Sequence, residues 1–201
     1  MPRRNLYLSG DPDADALLTK DPLALLIGMV LDQQIPLEWA FRGPAELAGR
    51  LGMTSPLDAG RLASMDPDKL AGVFSERPAL HRYPGSMAAR VQALCQLIVD
   101  EYGGDASAVW KSAADGTELR RRIQALPGFG EQKARIFVAL LGKQLGVRPA
   151  GWETASDPFG ESGSFRSVAD IVDADSLASV RQWKADAKAA AKAAKAQGGG
   201  R

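Results

Sequence analysis

The sequence predicts an all-α protein, and three observations carry that prediction. Apolar residues recur at helical spacing in segment after segment, no stretch of useful length alternates with period two, and the segments open on Asp-Pro and close on glycine. The chain has 201 residues, of which 45% are apolar and 24% charged. That is an ordinary globular balance for one domain or two small ones, and it excludes disorder as the main state.

The elements follow in order. Asp21-Pro22 supplies an N-cap acceptor and a proline at the first helical position, and Leu23, Leu26, Ile27, Val30 and Leu31 then mark a buried helix. Pro36 opens a second helix, Leu37 to about Arg50, closed by Gly52, and Asp66-Pro67 opens a short third one with Leu70, Val73 and Phe74. From Ser86 to Tyr102, Met87, Val91, Leu94 and Ile98 form one stripe, which Gly103-Gly104 ends. Cys95 lies beside that stripe and reads as a small core residue. Asp115 or Thr117 caps a helix through Leu119, Ile123 and Leu126, and after Pro127-Gly128-Phe129-Gly130 a last strong pattern runs to Gly146.

Two stretches break the pattern. Glu76 to Gly85 holds two prolines and no sustained period, and Gly146 to Phe165 is a long acidic loop rich in glycine. The end of the chain, Ala185 to Arg201, is Ala/Lys low-complexity and is expected to be a marginal, fraying helix.

Composition also excludes several functions. A single cysteine supports neither an internal disulfide, a four-cysteine iron–sulfur cluster nor a structural zinc site. The most apolar run, Leu23 to Leu31, stops at Asp32, too short to cross a membrane. Met1 to Gly10 lacks the apolar stretch of a secretory signal, so a cytoplasmic location is expected.

The net charge of +1 is unevenly spread. Residues 1–116 hold 11 Lys/Arg against 15 Asp/Glu, 117–150 hold 7 against 2, 151–180 hold 1 against 6, and 181–201 hold 6 against 1. Two basic segments in an otherwise acidic protein suit limited surfaces that meet a polyanion, although two solvated helical faces would look the same. In the second segment Lys184, Lys188, Lys192 and Lys195 share one potential helical face.

The most informative stretch is Leu126-Pro127-Gly128-Phe129-Gly130-Glu131-Gln132-Lys133-Ala134, set between two helical patterns in residues 117–146. It has the form of a helix-hairpin-helix. Its glycines allow a tight hairpin whose N–H groups sit beside a helix N-terminus, an arrangement that favours a phosphate oxygen and grips DNA without reading bases. Phe129 and Leu126 would anchor it in the core. A plain helical packing element without a ligand is the structural alternative.

With this hairpin, the Asp21-Pro22-Leu23 to Gln33-Gln34-Ile35 helix and the Gly85-Ser86-Met87-Ala88-Ala89-Arg90 helix start, the chain resembles the HhH-GPD superfamily of base excision repair DNA glycosylases from about residue 21 to 149. It looks most like small actinobacterial-type members. The resemblance implies a helix-hairpin-helix DNA glycosylase fold, two helical subdomains flanking a DNA-binding cleft. Residues 21–142 would form the bundle with the hairpin, 1–20 plus 143–183 the second subdomain, and 184–201 a basic tail.

DNA is the implied partner of a monomeric, nucleoid-associated protein, with Gly128, Phe129, Gly130, Gln132 and Lys133 at the backbone. Gln34 matches the family's probing glutamine, which fills the gap left by a flipped base, with Gln33 beside it; both could instead be helix caps. Arg82 and Tyr83 offer a second probe or a stacking surface. His81 reads as a loop hydrogen-bonder. No cofactor or iron–sulfur cluster is implied, and the hairpin backbone leaves room for a monovalent cation.

The family places a carboxylate beyond the hairpin to stabilise the positive sugar. Counting from Gln132 that position falls near Ala150, and no acid stands between Ile136 and Trp152. Asp157 is the first replacement, then Asp32, then Glu153. Gln132 stands where lyase members carry a lysine, and Lys133, turned by about 100°, is expected to point elsewhere, so a monofunctional glycosylase is implied. The alternatives are a DNA-damage-binding protein without catalysis and a helical protein-interaction module.

Overall fold

A computed structural model describes residues 5–198, with side chains through residue 194. Among them the protein is all-helical: α1 (Pro12–Lys20), α2 (Pro22–Leu31), α3 (Leu37–Leu51), α4 (Ala59–Ala63), α5 (Pro67–Ser75), α6 (Pro84–Tyr102), α7 (Ala108–Lys111), α8 (Gly116–Ala125), α9 (Glu131–Gln144), α10 (Trp152–Ala155), a 3-10 turn (Val168–Asp170) and α11 (Ala174–Gly198). No described helix is long and apolar enough to cross a membrane.

Asp21, Asp66 and Asp115 cap their helices as expected, and Asp11 and Asp58, which the sequence did not single out, do the same. Asp11, Asp21, Asp58, Asp66 and Asp115 each accept from a backbone N–H in the first turn of the helix that follows. Asp21 is buried and does more than cap, because its second oxygen takes the Leu57 N–H at 2.6 Å and so ties α2 to the chain before α4. Asp15 plays a similar part at the N-terminus, where one carboxylate oxygen accepts from the N–H groups of Leu8 and Ser9 and from the Ser9 hydroxyl.

One hydrophobic core runs through the protein, from Leu6 and Leu8 through α2 to Phe137, Trp152 and Val180. α2 lies at its centre with every residue from Leu23 to Leu31 buried. α3, α6 and α1 pack on α2, α4 and α5 pack on α6, and α8 with α9 forms an antiparallel pair covered by α10 and the 3-10 turn. α1 thus packs with α2 and α3, and α9 with the 3-10 turn, so contacts cross the division expected at residues 20 and 142.

Both irregular stretches are pinned. Arg50 donates to the carbonyls of Val73, Glu76 and Pro78 and holds the 76–83 loop. Lys143 of α9 reaches the Glu161 carbonyl, the Ser164 hydroxyl and the buried Asp170 carboxylate, which fixes the acidic loop and the 3-10 turn. Of the stretch expected to be a fraying tail, residues 185–198 belong to the continuous helix α11, and 199–201 lie outside the described residues.

Candidate functional site

The hairpin between α8 and α9 is built as its glycines demand at one position and not at the other. Gly128 has φ +89°, and a Cβ there would stand 3.0 Å from the Arg90 side chain and 3.1 Å from Val30. Leu126 and Phe129 anchor the turn in the core, Phe129 edge-on to Phe137 with centroids 5.6 Å apart. Phe129 is therefore a buried anchor. Gly130 is extended, at φ −78° and ψ 174°, and a Cβ there would meet nothing within 4 Å. It is the N-cap of α9, and no side chain caps that helix end. No side-chain acceptor therefore meets the first N–H groups of α9.

That helix end opens on a cleft of about 440 Å³. Its walls are Met29 and Asp32 at the end of α2, Gly130 to Lys133 and Ile136 of α9, Ser167 and Val168 of the 3-10 turn, and Lys184 of α11. Of the three carboxylates the sequence nominated, Asp32 alone borders this cleft. Asp157 is exposed, and its carbonyl accepts from Arg135 at 3.2 Å. Glu153 is exposed on α10 beside a separate depression with Arg148 and Trp152.

Asp32 is half-buried and has neither a hydrogen bond nor an ion pair on its carboxylate among the described residues. Burial pushes its pKa above the ordinary carboxylate value, and the positive charges of Lys184 and Lys133 partly oppose that rise. A carboxylate with a raised pKa and no protein partner at the edge of a cleft is a candidate functional position.

Lys133 corrects an expectation. It points into the cleft that Gln132 also borders, and its Nζ donates to the Met29 carbonyl at 2.5 Å. The long side chain reaches back over the helix end, where Met29 has a carbonyl without a helical partner. Burial lowers the Lys133 pKa, and Asp32 opposes that fall.

The two glutamines separate into different roles. Gln33 is held inside: its amide nitrogen donates to Val30 O at 2.8 Å, its amide oxygen accepts from Arg90 at 3.1 Å, and its carbonyl lies 2.9 Å from His81 Nε2. Gln34 is exposed and has φ +57°, a left-handed backbone found at no other described residue except glycines. For a glutamine this conformation is uncommon and costs free energy, which the anchored neighbours Gln33 and Pro36 sustain.

His81 is buried and Nδ1 accepts the Tyr83 N–H at 3.0 Å, so Nε2 carries the proton and donates to Gln33. It couples the Gln34 loop to the loop bearing Arg82 and Tyr83. Both of those are exposed, the guanidinium 5.5 Å from the ring centroid. Trp39, which the sequence reading missed, stands on the same side: it is 40% exposed, and its indole N–H donates to the Ala79 carbonyl of that loop. Its signal was available, since Trp39 falls off the buried Ala40, Phe41, Leu47 and Ala48 face of α3. Ser167 and Lys184 gave no such signal, because only the tertiary fold brings them to the cleft.

Among the described residues no three His, Cys, Asp or Glu side chains gather as a metal site. Compared with known proteins, the chain matches no family model, and no curated protein matches it.

Proposed function

We propose that the protein binds duplex DNA through the hairpin and releases a damaged or mispaired base as a glycosylase of the helix-hairpin-helix type, with Asp32 as its carboxylate. One observation carries this reading: a single cleft joins the uncapped N-terminus of α9 to an unpartnered carboxylate. The helix end suits a backbone phosphate. Cleavage of the N-glycosidic bond leaves positive charge on the sugar, which Asp32 would stabilise while orienting the attacking water. Gln34, held in a strained conformation at the tip of the next loop, would fill the gap left by the flipped nucleotide, with Tyr83 and Trp39 available for stacking.

The test is base release from uracil-containing, alkylated, oxidised and mismatched duplexes by wild type, Asp32→Asn and Asp157→Asn. Release that Asp32→Asn lowers by roughly a hundredfold or more and Asp157→Asn leaves intact is expected. The second reading, a damage-binding protein without catalysis, is favoured by the distance of Asp157 and Glu153 from the cleft. Tight lesion binding with no release on any substrate would establish it instead.

A further inference from the structure

α11 offers a surface that the hairpin reading leaves unused. At about 100° per residue, Arg181, Lys184, Lys188 and Lys192 fall within an arc of about 80°. Asp186 lies on another face, where it accepts from Gln182 at 2.9 Å. The near end of the basic stripe is fixed to the site. Arg181 pairs with Glu38 in the first turn of α3, and Lys184 borders the cleft with Asp32. The start of the stripe is thus tied to both flanks of the segment that presents Gln34, through Glu38 on one side and the cleft of Asp32 on the other. From Arg181 to Ala194 every described side chain is exposed.

An Ala/Lys helix with no buried face has little of its own to hold it in place. Its chemistry selects the partner. Beyond Trp183 the residues between the lysines are alanines and Asp186, so there is no bulky apolar face to enter a lipid bilayer. Lysines on one face, with flexible stems and no fork geometry, suit a row of phosphates. From Lys184 to Lys192 the helix rises about 12 Å. At about 3.4 Å of axis per phosphate on one strand, that matches three to four phosphates.

We infer that α11 is a second DNA-binding element, an arm aimed by the Arg181–Glu38 pair, whose Lys188 and Lys192 follow the duplex backbone as it leaves the cleft. This rests on the DNA-binding reading above and extends it. The hairpin holds one phosphate at the site, and the arm adds contacts along the flank. Both are blind to sequence, so the arm raises affinity and residence without altering which lesion is chosen.

The experiment is fluorescence anisotropy of the full chain on a labelled duplex at several salt concentrations. Lys188→Gln with Lys192→Gln, both on the exposed arm, should lower the slope of log K against log salt by about two. Glu38→Gln removes a negative charge and so has an effect of its own. The informative quantity is the coupling: in the Glu38→Gln background the two lysine substitutions should cost less, because the unlatched arm is no longer aimed.

An unchanged slope in the double lysine variant overturns the inference, as does tighter binding on truncation after residue 182, which would make α11 a cover over the site. Loss of binding to phosphatidylserine vesicles with DNA binding intact also overturns it, in favour of a membrane. Binding that Gly128→Val weakens and the lysine variants do not removes the arm alone. Binding that the lysine variants weaken and Gly128→Val leaves intact removes the hairpin reading and keeps the arm. If the full chain binds no DNA, both fall.

Discussion

Asp32 shows how a site leaves its mark on stability. Its carboxyl is partly withdrawn from water at the end of a fully buried helix and has no direct partner, so its pKa in the folded protein lies above that of the unfolded chain. The folded state then favours the neutral acid. The stability this confers is complete below the ordinary carboxylate pKa and is lost as pH rises through the folded value. At neutral pH the ionised group is therefore a net cost, which Lys184 and Lys133 reduce and do not abolish. Asp32→Asn should raise the thermal midpoint at pH 7, and the difference from wild type should vanish in acid. Melting curves across that range check this, and a variant less stable than wild type at pH 7 would mean that Asp32 holds the fold together instead. Gln33 and Gln34 make the complementary point: adjacent and chemically identical, one is locked by Val30, Arg90 and His81, and the other is exposed by a positive φ.

At the scale of elements, the N-terminus of α9 separates folding from function. Gly130 caps that helix without need of its glycine, since its backbone is ordinary and the space around a Cβ is empty. Gly130→Asp would add a side-chain cap and a negative charge at the positive end of the dipole, and should stabilise the protein by about 0.5 kcal/mol. The same carboxylate would occupy the free N–H groups and repel phosphate, so DNA affinity should fall while urea midpoints rise. If affinity holds, the helix end is not the phosphate site.

The helices themselves were legible in the sequence where apolar spacing is sustained over two or more turns between clear start and stop residues, as in α2, α5, α6 and α9, whereas α1 was not predicted although Asp11 caps it. The short helices α4, α7 and α10 were not, because four or five residues cannot display a 3.6 period. The cleft was legible only in part. Its hairpin wall is a local motif, but the meeting of Asp32 with Lys184 spans most of the chain and depends on where the tertiary fold sets the start of α11. Lys133 was assigned a direction from its angle on the helix alone, and its four-carbon stem and the open carbonyl of Met29 decided otherwise.

Over the whole molecule, the cleft is kept in shape by a polar node behind one of its walls. Lys143, near the end of α9, is 15% exposed and lies 2.5 Å from Asp170, which is 3% exposed. The other oxygen of Asp170 accepts from the N–H groups of Arg166 and Ser167. Ser167 and Val168 are cleft wall, so the helix that carries the hairpin and the turn that faces it are fastened by this pair. The loop before the turn depends on it too, through Glu161 and Ser164.

Lys143→Met keeps the aliphatic stem but strands a buried carboxylate, which should cost about 3 kcal/mol. The loss should be local before it is global: amide exchange should speed up at residues 161–170 while α2 and α6 stay protected. DNA affinity should then fall although no DNA contact has been removed, because the wall opposite the hairpin has loosened. Adding Asp170→Asn removes the stranded charge and should recover part of the stability, since an asparagine oxygen can still accept from Arg166 or Ser167. Exchange that rises equally throughout the protein would show that the pair supports the fold as a whole and has no special hold on the cleft.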